Sequence, residues 1–321
     1  MSTSNRSASA FASANPHALA AILEASETRR IIAATDIFDL AGTKLWARNQ
    51  PVSAELQRKL LDRKLREPLE SCLIAEDGVT SAMLVEWLEW LVEGETRLAP
   101  LLRPHAARLL REVRHLPLHP VAQLLLSAGK ASRQHAFEHA VSAMAMAGAL
   151  MIGQGGQTPE IRLAMLAGLL HDLGEMYIDP MHGEAETERE LDTLSYRQLV
   201  VHPHVGLLLI AQLTNYPGAV ARAVAEHHER LDGSGYPHAK QADALSPLGR
   251  LMAVTDAALG ALRGPHEQLL HASIALRAVP GEFDLAWVGQ LSRVAGEQPP
   301  LRPVMQPAEI RARRAALEEV L

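Results

Sequence analysis

The chain has 321 residues, of which 48% are hydrophobic and 21% are charged, and its formal net charge is −6. A chain of this size and composition can bury a sizeable core and falls in the range of ordinary globular proteins. Its 31 basic residues are outnumbered by 37 acidic ones. Because no broad basic surface is available, the composition argues against a duplex nucleic acid as partner.

The first 15 residues are rich in Ser, Ala and Asn and lack the basic start and apolar block of a signal peptide. We expect residues 1–15 to form a disordered lead-in. Cys72 is the only cysteine, which excludes an intramolecular disulfide and favours a reducing compartment. We find no apolar run of the roughly 20 residues that a membrane span requires. The sequence therefore predicts a cytoplasmic protein with no membrane span.

Residues 16–126 are predicted to form an N-terminal regulatory or dimerisation region. After a short helix, residues 35–47 alternate around Gly42, which is typical of a small β-hairpin. Ser53 is a suitable N-cap for the helix that follows. Residues 80–126 carry apolar side chains at helical spacing and are expected to be helical throughout.

Residues 127–321 hold the candidate functional residues, and their pattern also predicts helices. Gly and Pro residues separate the apolar, helically spaced segments. The predicted helices cover residues 132–151, 159–171, 194–212, 219–229 and 247–262. The expected fold class is mainly α, with a C-terminal helical bundle and a smaller N-terminal region that contains a short β-hairpin and helices.

Histidine and aspartate residues recur at the ends and within the apolar stretches of these helices. His171-Asp172 ends an apolar helix, and a carboxylate buried there beside imidazoles is costly unless a cation compensates it. A single histidine would fit an ordinary core or surface position, but the whole series has few structural explanations. The sequence predicts one metal cluster from seven residues: His139, His171, Asp172, His202, His227, His228 and Asp256.

The series resembles the HD-GYP family, whose members are HD-superfamily phosphodiesterases that act on the bacterial second messenger cyclic di-GMP. The second histidine pair is followed by the run Asp232-Gly233-Ser234-Gly235-Tyr236-Pro237, which carries the family's Gly-Tyr-Pro loop. The resemblance covers residues 127–291, roughly half of the chain. Residues 36–61 also resemble the leader found before many such domains.

The resemblance implies an HD-type helical bundle around two divalent metal ions bridged by Asp172. One ion would be completed by His139, His171 and Asp256, and the other by His202, His227 and His228. Such imidazole-rich, carboxylate-bridged sites suit iron or manganese, with zinc or nickel left open. A hydroxide between the ions would attack the phosphodiester and give linear pGpG, with GMP left open as a further product.

The resemblance also assigns residues to catalysis and to substrate. Asp172 and Glu175 would be catalytic, and the loop Asp232, Gly233, Ser234, Gly235, Tyr236 and Pro237 would bind substrate together with Arg263. Three positions depart from the family's pattern. Glu175 stands where a Lys is common, His135 stands where some members have a Glu for a third metal, and the run after Arg263 is altered. We expect two metals, with His135 as a substitute ligand or a residue behind the ligands.

Three functions are compatible with these residues. The first is a cyclic di-GMP phosphodiesterase, the second is an HD phosphohydrolase acting on another nucleotide or a phosphomonoester, and the third is a catalytically weak signalling scaffold. The expected partner is cyclic di-GMP. A second copy of the chain or a signalling protein could bind through residues 16–126.

Overall fold

The computed structural model describes residues 10–182, 193–264, 268–297 and 311. Residues 1–9 of the predicted lead-in and part of the run after Arg263 lie outside the described residues. The described helices are α1 Pro16–Ser26, α2 Ala54–Leu60, α3 Leu69–Cys72, α4 Ser81–Glu93, α5 Ala99–Leu102, α6 Ala106–Val113, α7 Pro120–Ser132, α8 Gln134–Gly153, α9 Thr158–Leu170, α10 Thr193–Leu199, α11 His202–Leu213, α12 Gly218–Glu226, α13 Pro247–Ala261, α14 Leu269–Ala275 and α15 Leu285–Gly296. The prediction of a mainly α fold is confirmed.

The described strands form two small antiparallel pairs. Strand β1 (Ile31–Ala33) pairs with β4 (Leu73–Ala75), and β2 (Ile37–Phe38) pairs with β3 (Lys44–Trp46). The second pair is the predicted hairpin, and Gly42 in its turn has a φ of 86°, which glycine adopts without strain. The β1–β4 pair was not predicted, because three-residue strands leave no periodic signal.

The part of the predicted lead-in that the structure describes is ordered against the rest of the chain. Phe11 is buried, and its ring meets the Tyr177 ring edge-on at a centroid distance of 5.6 Å. The Asn15 side chain accepts hydrogen bonds from the backbone N–H groups of His17 and Ala18 and so caps α1. Residues 10–15 are therefore packed against the rest of the chain rather than disordered.

Helix α8 lies at the centre of the fold and packs along α9, with further contacts to α4, α7 and α13. It has 20 residues and a mean hydropathy of 1.3 in its most apolar window, so by length and composition it could cross a membrane. The expectation that the sequence holds no stretch long and apolar enough to cross a membrane is therefore too strict. Because 61% of that window is buried inside the protein, the helix matches the core helix that an all-α fold requires.

The predicted helix boundaries need three corrections. Residues 80–126 are divided among four α-helices, with breaks after Gly94, around Pro104 and in the segment that contains Pro117. The predicted segment 194–212 is divided at His202, where Pro203 opens α11. Helix α7 runs through residues 126 and 127, so the predicted boundary between the two regions falls inside a continuous helix.

Candidate metal centre

The seven predicted ligands come from five helices that converge on one buried point. His139 lies in the second turn of α8, and His171-Asp172 directly follow α9. His202 is the first residue of α11, and His227-His228 directly follow α12. Asp256 projects from the middle of α13. Helix ends supply most of the groups because side chains there can turn into the space that the helices enclose.

The two carboxyl oxygens of Asp172 face different histidines. Its Oδ2 lies 3.0 Å from Nε2 of His171 and 3.6 Å from Nε2 of His139. Its Oδ1 lies 3.4 Å from Nε2 of His227 and 3.6 Å from Nε2 of His202. A carboxylate in this position can contact two cations at once, one with each oxygen.

Asp256 also spans the cluster. Its Oδ1 is 3.5 Å from Nε2 of His139, and its Oδ2 is 3.3 Å from Nδ1 of His228. The potential ligand atoms fall into two groups, each with its atoms within 4.8 Å of one another. One group contains Asp172, His202, His227 and His228, and the other contains His139, His171 and Asp256. This is the division that the resemblance implies.

Three of the imidazoles are oriented by carbonyl groups at the ends of the helices that precede them. Nδ1 of His171 lies 2.7 Å from the Gly168 carbonyl oxygen, Nδ1 of His202 lies 2.7 Å from that of Leu199, and Nδ1 of His227 lies 2.5 Å from that of Val224. Each acceptor is three residues earlier, at a helix end where carbonyls lack helical partners. Donation from Nδ1 leaves the Nε2 lone pair directed at the cluster, as metal binding requires.

Two buried oxygens test whether these residues fit a metal. The Oδ1 atoms of Asp172 and Asp256 are inaccessible to solvent and accept no hydrogen bond from the described part of the chain. A buried carboxylate oxygen left in this state costs free energy that a cation would recover. Five imidazoles and two carboxylates are a donor set that suits divalent first-row transition metals. The residues therefore fit a divalent metal centre.

The charges in the cluster set unusual pKa values. Burial alone would lower the pKa of His171, but the neighbouring Asp172 and Asp256 carboxylates outweigh burial and raise it to about 9. Burial, together with the charge of His228, lowers the pKa of His227 to about 3. Burial opposes ionisation of Asp172 and Asp256, yet the surrounding imidazoles hold both carboxyl pKa values well below their usual range.

Metal binding is expected to release a proton at neutral pH. His171 is protonated in the metal-free protein below a pKa of about 9 and must become neutral to donate its lone pair. Affinity for Mn²⁺ should therefore rise with pH, up to about tenfold per pH unit, between pH 6.5 and 9. Calorimetry in two buffers with different ionisation enthalpies would count the released protons.

The same raised pKa has a consequence for folding of the metal-free protein. A raised histidine pKa stabilises the fold fully below the ordinary value of 6.5, and this contribution is lost as the pH rises through about 9. Stability of the metal-free protein should decline over that window, and stability of the loaded protein should not. For metal binding, an Mn²⁺ affinity that is constant from pH 6.5 to 9 would contradict the assignment of His171 as a ligand that must lose a proton.

Two buried glutamates, which the sequence analysis did not single out, anchor the predicted substrate loop. Glu229 accepts hydrogen bonds from the backbone N–H groups of His238 and Lys240, at 2.8 and 2.9 Å. Glu226 accepts from the Lys240 ammonium, at 2.8 Å, and from both the backbone and the hydroxyl of Ser246. Both glutamates are fully buried. Glu226 is the last residue of α12, directly before the histidine pair, and Glu229 directly follows the pair. The ligand segment and the loop are thereby held as one unit.

The loop itself lies directly on the cluster at Tyr236. The Tyr236 ring stacks on the His228 ring with centroids 4.5 Å apart and an interplanar angle of 27°. Its backbone N–H donates to the His228 carbonyl oxygen at 3.1 Å. A side chain at Gly235 would overlap the backbone of residues 228–230, so only glycine allows this close approach.

Replacing Glu229 by Gln should destabilise the protein. The amide would present an NH₂ group to one of the two backbone N–H donors, so a buried donor loses its partner at a cost of about 1–3 kcal/mol. The free energy of unfolding from denaturant titration would measure the loss. Glu55→Gln is the matched control, because the Glu55–Lys59 pair is exposed and contributes little. Equal stabilities for the two variants would contradict the anchoring role.

The remaining predicted site residues lie in different environments. Asp232 accepts hydrogen bonds from the backbone and hydroxyl of Ser234 and closes an exposed turn. Arg263 is exposed beyond the end of α13, seven residues and thus about 10 Å of helix rise after Asp256. A direct contact of this side chain with the reacting phosphate stays a prediction.

His135 lies away from the cluster, whereas Glu175 lies in the buried turn that follows Asp172. The His135 side chain is 90% exposed and lies 3.5 Å from Glu138, so it belongs to neither ligand group. It precedes His139 by one turn, but it lies in the first turn of α8, outside the packed interior. Glu175 is buried, and a catalytic role for its side chain stays a prediction. The Arg133 side chain, which the sequence analysis missed, donates to the Glu175 carbonyl oxygen at 2.9 Å.

Comparison with known proteins places this geometry in a family. A family model described as HD domain matches residues 98–277, more than half of the chain. The chain therefore belongs to the HD domain family, and its Gly-Tyr-Pro loop behind the second histidine pair places it in the HD-GYP branch. The match begins at residue 98, before the start that we predicted for the catalytic region.

Several curated proteins are similar to parts of the chain. The cyclic di-GMP phosphodiesterase PA4108 of Pseudomonas aeruginosa is 33% identical over 154 residues, which are 47% of this chain and 36% of that protein. The response regulator RpfG of Xanthomonas campestris pv. campestris, also named a cyclic di-GMP phosphodiesterase, is 33% identical over 101 residues, 30% of this chain and 25% of that protein. The 3′3′-cGAMP-specific phosphodiesterase 3 of Vibrio cholerae is 29% identical over 90 residues, 28% of this chain and 19% of that protein. The matched part thus spans about a third or less of each relative.

Among solved structures, Bd1817, an HDG"Y"P protein from Bdellovibrio bacteriovorus, aligns with a TM-score of 0.46 and 14% identity. The alignment covers 84% of this chain and 97% of that one.

Proposed function

We propose that this chain is a metal-dependent phosphodiesterase that hydrolyses cyclic di-GMP to linear pGpG. The observation that carries the proposal is the pair of ligand groups joined by Asp172, with the Gly-Tyr-Pro loop stacked on one of the ligands. The names of the similar proteins from Pseudomonas and Xanthomonas support this substrate. The proposed metals are two divalent ions, with iron or manganese favoured by the donor set.

Bound divalent ions would polarise a phosphodiester oxygen and lower the pKa of a water molecule, so that hydrolysis proceeds at neutral pH. The chain's own residues hold the parts in place. Asp172 presents one oxygen to each ligand group, and the helix-end carbonyls fix the imidazole tautomers. Tyr236 covers one face of His228 and limits the directions from which substrate can approach.

A hydrolysis assay would test the proposal. The protein, loaded anaerobically with Mn²⁺ or Fe²⁺, would be incubated with cyclic di-GMP, with 3′3′-cGAMP and with a phosphomonoester, and the products separated by chromatography. Formation of pGpG from cyclic di-GMP at the highest rate supports the proposal. Faster cleavage of 3′3′-cGAMP, the substrate in the name of a Vibrio cholerae relative, would assign a different cyclic dinucleotide. Bound metal and substrate without turnover would favour a scaffold.

The N-terminal part, residues 16–126, is proposed to regulate the catalytic region or to bind a second copy or a signalling partner. We also propose a cytoplasmic location, because a chain with a single cysteine suits a reducing compartment.

A further inference from the structure

The turn that follows the His171-Asp172 pair is connected to the N-terminal part by a buried hydrogen bond. This turn is the 3₁₀-helix Leu173–Tyr177, and the Tyr177 hydroxyl at its end donates to Oε1 of Glu70 at 2.5 Å. Glu70 lies in α3, 107 positions earlier in the chain. Both side chains are buried. A contact from the N-terminal part therefore reaches within five residues of the predicted bridging carboxylate.

Further contacts hold the same outer side of the turn. The Asn15 side-chain amide donates to the Tyr177 carbonyl oxygen at 3.1 Å, and the Phe11 ring meets the Tyr177 ring edge-on. From the junction between α7 and α8, the Arg133 guanidinium donates to the carbonyl oxygens of Glu175 and Ile178. Residues from three separate parts of the chain thus fix the backbone and the side chain of Tyr177 and its neighbours.

The inner side of the turn lies against candidate ligands. A side chain at Gly174 would overlap the carbonyl group of His202, so the turn backbone is in close contact with the start of α11. The Glu175 N–H donates to the Asp172 carbonyl oxygen at 2.9 Å. A displacement of the turn would consequently move Asp172 or His202, which both belong to one ligand group.

Burial disfavours a charge on either partner of this hydrogen bond, so its contribution lies in its geometry. Burial raises the pKa of both Glu70 and Tyr177, because a charge on either would be removed from water. A buried polar pair is often no more stabilising than an apolar pair of the same shape, but its geometry is far more specific. The Tyr177–Glu70 pair specifies a single docking position for the turn.

We propose that Tyr177 and Glu70 are positioning residues through which the N-terminal part sets the geometry of the metal centre. The catalytic consequence rests on the proposed phosphodiesterase function, whereas the effect on metal binding does not. A signal that shifts α3 would reach Asp172 through this hydrogen bond and the turn.

Tyr177→Phe tests the proposal, because it removes the hydroxyl and retains the ring that packs on Phe11. Mn²⁺ affinity, measured by electron paramagnetic resonance of free Mn²⁺, should fall about tenfold to a hundredfold, as for other residues that orient ligands. Hydrogen exchange at the amides of residues 174–178 should accelerate in the metal-free protein. With cyclic di-GMP, kcat should fall while KM stays unchanged, because substrate contacts are preserved.

Two further variants separate positioning from a general loss of stability. Glu70→Gln retains an acceptor for the Tyr177 hydroxyl, so its Mn²⁺ affinity should stay close to that of the wild type. Glu70→Leu removes the acceptor, so its Mn²⁺ affinity should fall as much as that of Tyr177→Phe. Tyr216→Phe is the matched control, since its buried hydroxyl donates to the Pro117 carbonyl oxygen at 2.8 Å in another part of the fold. It should leave Mn²⁺ affinity unchanged.

Wild-type Mn²⁺ affinity and exchange rates in Tyr177→Phe would overturn the proposal, as would an equal loss of affinity in Tyr216→Phe. These readouts need no substrate. If the wild-type protein fails to cleave cyclic di-GMP, the proposed function fails, and the metal and exchange measurements still decide the positioning role.

Discussion

Asp172→Asn should abolish cooperative binding of two metals and lower hydrolysis more than about a hundredfold, beyond the loss typical of residues behind the ligands. The substitution keeps the shape of the side chain but removes its charge. It also replaces one of the two oxygens that face separate histidine groups with an amide nitrogen, which cannot donate a lone pair to a metal. Metal content by mass spectrometry and pGpG formation would measure the two effects.

Asp243→Asn provides the control for charge. Asp243 is fully exposed and pairs with Arg250 away from the cluster, so its loss changes net charge by the same amount without touching the site. Its metal content and activity should equal those of the wild type. Retention of both metals and of full activity in Asp172→Asn would refute the bridging assignment.

Gly174→Ala should damage the metal centre without altering a single candidate ligand. The added methyl group would overlap the carbonyl of His202 and approach the backbone nitrogen of Gly206, and backbone atoms in a helix cannot move aside independently. Overpacking of this kind costs about 1–3 kcal/mol. Since the turn or the start of α11 must shift, Asp172 and His202 would separate, and Mn²⁺ affinity should fall at least about tenfold.

Gly260→Ala is the matched glycine control. Gly260 lies in α13, the helix that carries Asp256, and a methyl group there meets open space. Alanine favours a helix over glycine by about 1 kcal/mol, so this variant should be as stable as the wild type or more stable. Thermal unfolding and Mn²⁺ titration of the two variants would be compared. Equal Mn²⁺ affinity in both would show that the turn tolerates the methyl group without moving the ligands.

Local patterns in the sequence were sufficient for the helices and for the chemical character of the centre. Imidazoles and carboxylates at the ends of apolar helices are costly in a core without a cation, so their joint presence pointed to metal before any fold was known. The spacing of apolar residues gave α8, α9 and α13 nearly to their ends. The family resemblance, which depends on the run after His228, supplied the division of the ligands into two groups.

Residue spacing did not predict the burial of side chains whose surroundings come from distant segments of the chain. His135 and His139 are one helical turn apart and look equivalent in the sequence, but only His139 reaches the interior, because α9 and α13 cover that part of α8. Glu175 was assigned from a family position, whereas its burial follows from the packing of its turn on α11 and α7.

The sequence by itself thus determined the helical class and the set of groups able to bind metal, because both depend on local periodicity and on residue chemistry. The tertiary structure decided how that set is held. The Glu70–Tyr177 and Asn15–Tyr177 hydrogen bonds join residues 107 and 162 positions apart. No local pattern encodes such contacts, since they arise only when the helices pack and buried polar groups must find partners.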